Sequence, residues 1–343
     1  MQSKFRYLFL LSLLVLLIAG VLTLFVGVYT FDQSLLTSVK YLLFDREKMS
    51  DADAYVLLDL RIPRMLFAVL IGSALAVCGT IMQGLFKNPL ATPDLIGITA
   101  GASLMAACTI VLGSSFRAYL PDYIQYSLLS VAAFAGALFT TYVVYRMATK
   151  SGKTNISLLL LTGVAFTALG FSFTGFLVYL AKDDELRDLT FWNLGSLGGA
   201  NWTKVLGLLG VLLLTYPFLL FKGKVLNAFW LGEKDAAHLG IRVERIKKGM
   251  LLMTSLLVGV CVSFAGTIGF VGLIVPYILR LLFHSDYRFI LPLSAVWGAL
   301  LLLLADTLSR VLVAPSELPI GIVTGIMGAP IFMAILIKNR KMF

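Results

Sequence analysis

Residues 222–248 read KGKVLNAFWLGEKDAAHLGIRVERIKK, the longest strongly charged island in an otherwise apolar chain. Seven of its residues are basic: Lys222, Lys224, Lys234, Arg242, Arg245, Lys247 and Lys248. Its middle predicts a short surface helix. Gly232 can open that helix, and Glu233 and Asp235 put negative charge in the first turn, where the helix dipole favours it. Gly240 can close it as the left-handed residue past the last turn. Phe229, Trp230 and Leu231, just ahead, form an apolar face with no evident use inside the chain. From the residues alone two readings stay open. The stretch is a docking surface for a cytosolic partner, or it is a positively charged loop that sets topology and does nothing more.

On both sides of the island the chain turns apolar. Of 343 residues, 59% are hydrophobic and 13% charged; soluble domains carry about 25% charged residues. Runs of about 20 apolar residues, enough to cross a hydrocarbon core, recur along the whole length. The reading is an all-α polytopic membrane protein with one transmembrane domain over residues 1–343. Alternating strand patterns are absent, which excludes a membrane barrel. The net charge of +10 sits mostly in short loops, where it fixes topology, so it is no sign of nucleic-acid binding. Cys78, Cys108 and Cys261 lie inside apolar runs without metal or disulfide spacing and read as small packing residues. No metal site and no bound cofactor are expected.

Working outward, the apolar runs predict ten spans, at about 5–29, 62–86, 95–114, 123–145, 155–181, 204–221, 249–265, 271–283, 289–312 and 318–337. The first is too long for a signal peptide core and no cleavage site follows it. The eighth is short. Counting it puts both termini, with Lys338, Arg340 and Lys341, on the cytosolic side, as the positive-inside rule requires. Residues 30–60 form a mixed-charge external segment that includes Asp32, Arg46, Glu47, Lys48 and Asp53. KNPLATPD (87–94) breaks the chain at Pro89 and Pro93 before the Gly-rich start of span three. Ile96-Gly97-Ile98-Thr99 recurs loosely as Ile320-Gly321-Ile322-Val323, a faint echo of the inverted repeats found in transporters.

The chemistry is sparse. On this assignment no ionisable residue lies at mid-depth, and Asp306, Arg310 and Arg280 sit near span ends. Ion-coupled carriers keep costly charges inside the bilayer, so their absence weakens that reading. Gly152-Lys153-Thr154 mimics the end of a phosphate-binding loop, but Met147 stands where the motif needs a glycine. If ATP is used, another chain binds it.

Four stretches resemble one family. They are Arg61-Ile62-Pro63-Arg64 with GSALAVCGTIMQGLFKNPLATPDLIGITAGA (72–102), FWNLGSLGGANW (191–202), GTIGFVGLIVPYILR (266–280) and SELPIGIVTGIMGAP (316–330). Together they resemble the FecCD-type permeases of binding-protein-dependent ABC importers for iron-siderophores, haem and cobalamin. The resemblance implies ten helices per subunit in the bacterial cytoplasmic membrane, with a second copy forming a homodimer around a central pathway. It also implies two cytosolic ABC ATPase subunits that use ATP, and an extracytoplasmic substrate-binding protein. Arg61, Arg64 and Arg310 match the family's external arginines, which receive acidic residues of the binding protein. Gly232, Glu233, Ala236, Ala237, Leu239 and Gly240 match the coupling loop that seats in the ATPase. Asn88 and Leu90 match the cytosolic gate, and Ser157 a second gate position. The substrate implied is an iron(III)-siderophore or haem, with cobalamin as the alternative within the family. An ion-coupled secondary carrier working alone is the alternative of a different class.

Overall fold

In hydrocarbon every backbone N–H and C=O has to be satisfied within the protein, and the apolar runs meet that demand as helices. The computed structural model describes residues 2–31, 37, 41, 49–113, 121–283 and 285–338. Asp32, Arg46, Glu47, Lys48, Arg117, His284, Arg340 and Lys341 lie outside the described residues. The helices are α1 (Gln2–Thr23), α2 (Asp51–Leu85), α3 (Ile98–Leu112), α4 (Asp122–Ala148), α5 (Ile156–Leu180), α6 (Asp183–Leu194) and α7 (Trp202–Leu219). They continue as α8 (Gly223–Leu231), α9 (Glu233–His238), α10 (Val243–Ala265), α11 (Val271–Phe283), α12 (Tyr287–Val311) and α13 (Ile320–Lys338). A two-stranded hairpin, Thr149–Lys150 with Lys153–Thr154, joins α4 to α5.

Among the described residues seven helical runs are long and apolar enough to cross a membrane, and three shorter apolar helices accompany them: Ile98–Leu112, Val271–Phe283 and Ile320–Ala334. The expectation of a single short span is therefore too simple. α2 is longer than the sequence predicts, since its helix starts at Asp51 and carries a π-helical turn over Val56–Arg61. That turn lies ahead of Pro63, which has no N–H to give the Leu58 carbonyl five residues earlier; the Trp202 indole donates to that carbonyl instead, at 3.0 Å.

Burial sorts the helices into layers. The most apolar windows of α2, α10 and α12 are 72%, 67% and 67% buried, against 11% and 22% for α1 and α5. α2 and α12 form the central pair, and small residues let them close up. A Cβ on Gly72 would stand 2.2 Å from the Gly298 carbonyl, and one on Gly298 would stand 2.3 Å from that of Gly72. Thr80 and Ser294 share a hydroxyl hydrogen bond of 2.8 Å across the same seam. In α11, Pro276 has no N–H to give the Gly272 carbonyl four residues earlier. The buried amide of Gln83 on α2 reaches that carbonyl and the next one, at 3.5 and 3.3 Å.

The echo between spans three and ten does not extend to the backbone. Gly97 is left-handed at φ 80°, whereas Gly321 lies inside the helix α13.

Candidate functional site

Charged clusters stand at the two ends of the central pair. Asp286 and Asp306 mark opposite ends of α12, about 30 Å apart at 1.5 Å per residue.

At the Asp306 end the three arginines singled out from the sequence come together. Arg64 on α2 grips Asp306 with Nε (3.0 and 3.2 Å) and Nη2 (2.9 Å), and donates from Nη1 to both Glu317 oxygens at 2.7 and 2.9 Å. Arg310, one turn past Asp306, lies with its Nε 3.3 Å from the other Asp306 oxygen, within ion-pair reach but without hydrogen-bond alignment. Its Nη1 donates to the Val26 carbonyl at 2.8 Å and its Nη2 to the Thr23 carbonyl at 3.3 Å. Arg61 donates to the carbonyls of Leu24 and Tyr29, both at 2.7 Å, and lies over the Phe31 ring at 4.7 Å. Two guanidiniums thus close the C-terminal end of α1, where carbonyls lack helical partners and the dipole favours cations. Tyr29 continues the network by donating to the buried Asp53 at 2.7 Å. A cleft of about 300 Å³ opens beside Arg61, Arg64, Arg310, Tyr29 and Glu317. The sequence led to the arginines but not to their partners, although Glu317 stands within the quoted SELPIGI motif.

At the other end, residues 222–248 do not form one loop. α8 is part of the bundle: Phe229 is buried, and the Trp230 indole donates to the Tyr287 hydroxyl at 3.1 Å. Phe229 and Trp230 therefore have an intramolecular use after all; Leu231 remains exposed. Asn227 ties α8 to α12, donating to Asp286 at 2.8 Å and accepting from the Tyr287 N–H at 2.9 Å. Asp286 caps α12, and the guanidinium of Arg288 hydrogen-bonded to it holds its carboxyl below the usual range.

The projecting part is α9. Gly232 opens it at φ 145°, and Glu233 and Asp235 lie in its first turn, as the sequence predicts. Gly240 at φ 79° closes it: the Gly240 N–H bonds to the Ala237 carbonyl at 2.9 Å and the Ile241 N–H to that of Ala236 at 3.1 Å. The two alanines part company. Ala236 is fully buried against the body, while Ala237 and Leu239 face outward.

Beneath α9 lies a cluster that the sequence did not disclose. Lys247 on α10 is buried and donates to Glu233 (2.7 Å), Glu244 (3.0 Å) and the Thr154 carbonyl (3.3 Å). Glu244 in turn accepts from the Thr154 N–H at 2.9 Å. The Glu244–Lys247 spacing of i, i+3 was the available signal. The cluster joins α9 to the 149–154 hairpin, and through it to α5.

The gate candidates sit on different elements. Asn88 folds its own turn: its side-chain oxygen accepts from the Leu90 N–H at 2.9 Å and its carbonyl from the Ala91 N–H at 3.1 Å. Leu90 is half-buried in that turn, and Arg280 holds the intervening Pro89 carbonyl at 3.1 Å. Ser157 is exposed in the first turn of α5. α5 meets the 93–96 turn at Gly163, where a Cβ would stand 2.0 Å from the Leu95 carbonyl. Asp94, in that turn, corrects the expectation of an uncharged interior. It accepts from the Thr99 hydroxyl and is exposed on a cavity of about 140 Å³ lined by the mid-helix residues Leu75 and Val258. The proline-broken segment carries it there from the end of α2. Among the described residues no group of three or more His, Cys, Asp or Glu side chains could hold a metal ion.

Comparison with known proteins gives a consistent set of relatives. The model of the FecCD transport family matches residues 13–338. The hemin transport system permease protein HmuU of Yersinia pestis is 41% identical over 292 residues, covering 85% of this chain and 86% of its own. The vitamin B12 import system permease protein BtuC of Vibrio vulnificus is 39% identical over 339 residues, covering 99% and 96%. A solved structure described as an inward-facing conformation of a metal-chelate type ABC transporter is 28% identical and superposes with a TM-score of 0.84, covering 97% of this chain and 99% of that one.

Proposed function

Because this chain belongs to the FecCD transport family, we propose that it carries a metal chelate, an iron(III)-siderophore or haem, from a binding protein across the cytoplasmic membrane. The chain is a multi-pass permease subunit of an ABC importer and is not itself an enzyme. Such a subunit works with ATPase and binding-protein partners, and ATP is hydrolysed by the ATPase. In our reading two copies pair around the pathway and both termini are cytosolic. The binding protein docks at the end that carries Arg61, Arg64 and Arg310. The ATPase seats on α9 through Ala237, Leu239 and Gly240. Asn88, Leu90 and Ser157 border the inner gate.

The observation that carries this reading is the division of α9. One face is locked to the body by Ala236 and by the Glu233–Lys247 pair, and the other offers Ala237 and Leu239 outward, both exposed. A partner pushing on the outer face moves the body through the inner one. A second reading, a cobalamin permease, is favoured by the relative that matches 99% of the chain and is a vitamin B12 import permease.

Proteoliposomes decide between them. With the ATPase inside and loaded binding protein outside, uptake of a ferric siderophore or haem that needs ATP supports the first reading. Uptake of cobalamin alone supports the second. Accumulation driven by an ion gradient without either partner would refute both and identify a secondary carrier.

A further inference from the structure

The three outer arginines are not equally available to a partner. Arg61 spends both terminal nitrogens on the Leu24 and Tyr29 carbonyls and has Phe31 against its face. Arg310 is spent on the Val26 and Thr23 carbonyls and on Asp306. Arg64 turns one edge to Asp306, which is 2% exposed and cannot leave without stranding two guanidiniums. The outward edge of Arg64, its Nη1, holds Glu317, and Glu317 is 45% exposed. It is thus the most accessible carboxylate in the cluster, and a single nitrogen, Nη1, reaches both of its oxygens, whereas Asp306 takes the two-nitrogen fork of Nε and Nη2.

We propose that Glu317 is an internal stand-in for the binding protein's acidic side chain, and that docking proceeds by exchange. The incoming carboxylate takes the Nη1 edge of Arg64 and Glu317 swings out into the adjoining cleft. This rests on the reading that the arginine end receives the binding protein. An exposed ion pair is weak, so trading one carboxylate for another at this edge costs little, whereas displacing Asp306 would cost far more. Without Glu317 the cluster would present a buried cation edge to solvent when no partner is bound.

The exchange also carries a signal. Glu317 belongs to the link between α12 and α13, whose backbone is fixed by the Leu318 N–H on the Ser309 carbonyl (3.0 Å) and the Ile320 N–H on the Gly195 carbonyl (3.1 Å). Its Oε2 also lies 3.4 Å from where a Cβ on Gly198 would stand, so it abuts the Gly-rich outer loop. Release of Glu317 loosens the start of α13 and that loop at the moment of docking. An unoccupied transporter would keep both latched.

The test is the affinity of the cognate binding protein for the full permease–ATPase complex in nanodiscs, at low salt. Glu317→Gln keeps the size of the side chain and removes the competing charge. We expect it to tighten docking about fivefold, the competition an exposed ion pair can offer, and to raise ATP hydrolysis without binding protein. Glu317→Asp keeps the charge on a shorter side chain and should fall between wild type and Glu317→Gln in both. Arg64→Ala should abolish docking in either background. If Glu317→Gln binds with unchanged or weaker affinity while Arg64→Ala still abolishes binding, the exchange is wrong and the docking surface stands. If docking survives Arg64→Ala, the docking surface itself is wrong and the exchange falls with it.

Discussion

The two charged clusters solve opposite problems with similar parts. At the arginine end two cations, Arg64 and Arg310, hold Asp306 and Glu317, and Arg61 beside them is spent on carbonyls, so the cluster itself keeps an excess of positive charge. At the α9 end one buried cation, Lys247, holds two carboxylates, Glu233 and Glu244, and the cluster keeps an excess of negative charge. In both, the ion nearest the core is fixed and the exposed partner is replaceable. The difference lies in what the exposed partner belongs to. Glu317 stands on a link between helices, and its release loosens that link without moving a helix as a body. Glu233 opens α9, so moving it moves the helix. The first arrangement suits exchange with a partner's side chain; the second suits the transfer of a push.

The largest effect is expected where that contrast starts, at the fixed ion. Asp306→Asn leaves Arg64 and Arg310 sharing a neutral amide in a nearly dry site. Breaking a buried pair by removing one partner costs about 3–5 kcal/mol, so the variant should fold poorly. Thermal unfolding in detergent should fall steeply, and little protein should reach the membrane. Wild-type stability would mean that Asp306 is hydrated and the cluster is an ordinary surface.

Lys247→Met should cost less, because the carboxylates it abandons are 43% and 34% exposed and can turn to water. Its methionine keeps the buried stem, and we expect a loss of about 1–2 kcal/mol. The functional loss should be larger than the structural one. With α9 no longer tied to Glu244, Thr154 and α5, the ATPase should still bind and hydrolyse ATP while transport falls. Equal losses in hydrolysis and transport would show that the lysine only stabilises.

Much of this was written in the chain, and the exceptions have physical causes. Apolar run length leads to the long helices, and Gly232 and Gly240 flank α9 as the sequence predicts. The length of α2 was missed because Asp51, Asp53 and Asp59 read as loop charge, yet Asp53 is buried and holds Tyr29. α8 reads as part of a polar island because Lys222 just ahead of it and Lys224 in its first turn mask an amphipathic helix whose Leu226 and Phe229 are buried. Asp94 escaped because hydropathy measures position along a helix and says nothing of a broken segment that carries a carboxylate back into the bundle. The arginine motif was legible, but its partners were not. The pairing of Arg64 with Asp306 and Glu317 spans 242 and 253 residues, which no local pattern reports.

The smallest effect should come from Gly240→Ala, and it separates the two faces of α9. A Cβ at Gly240 would meet nothing within 4 Å, so there is no clash; the cost is the left-handed backbone alone, at φ 79°. That conformation costs a non-glycine residue about 1–2 kcal/mol, and the strain falls on the two hydrogen bonds that close α9. The body, held by Ala236 and Lys247 on the other side, should not feel it, so the unfolding midpoint of the permease should stay where it is. Hydrogen exchange of the Gly240 and Ile241 amides should accelerate, and the ATPase should co-purify less well, since its proposed seat is the end that frays. Ala237→Leu should weaken the same association without changing exchange, because it adds bulk to an exposed face and leaves the turn intact. If both variants bind the ATPase normally, α9 is not the seat, and the contrast between the two clusters reduces to one of stability.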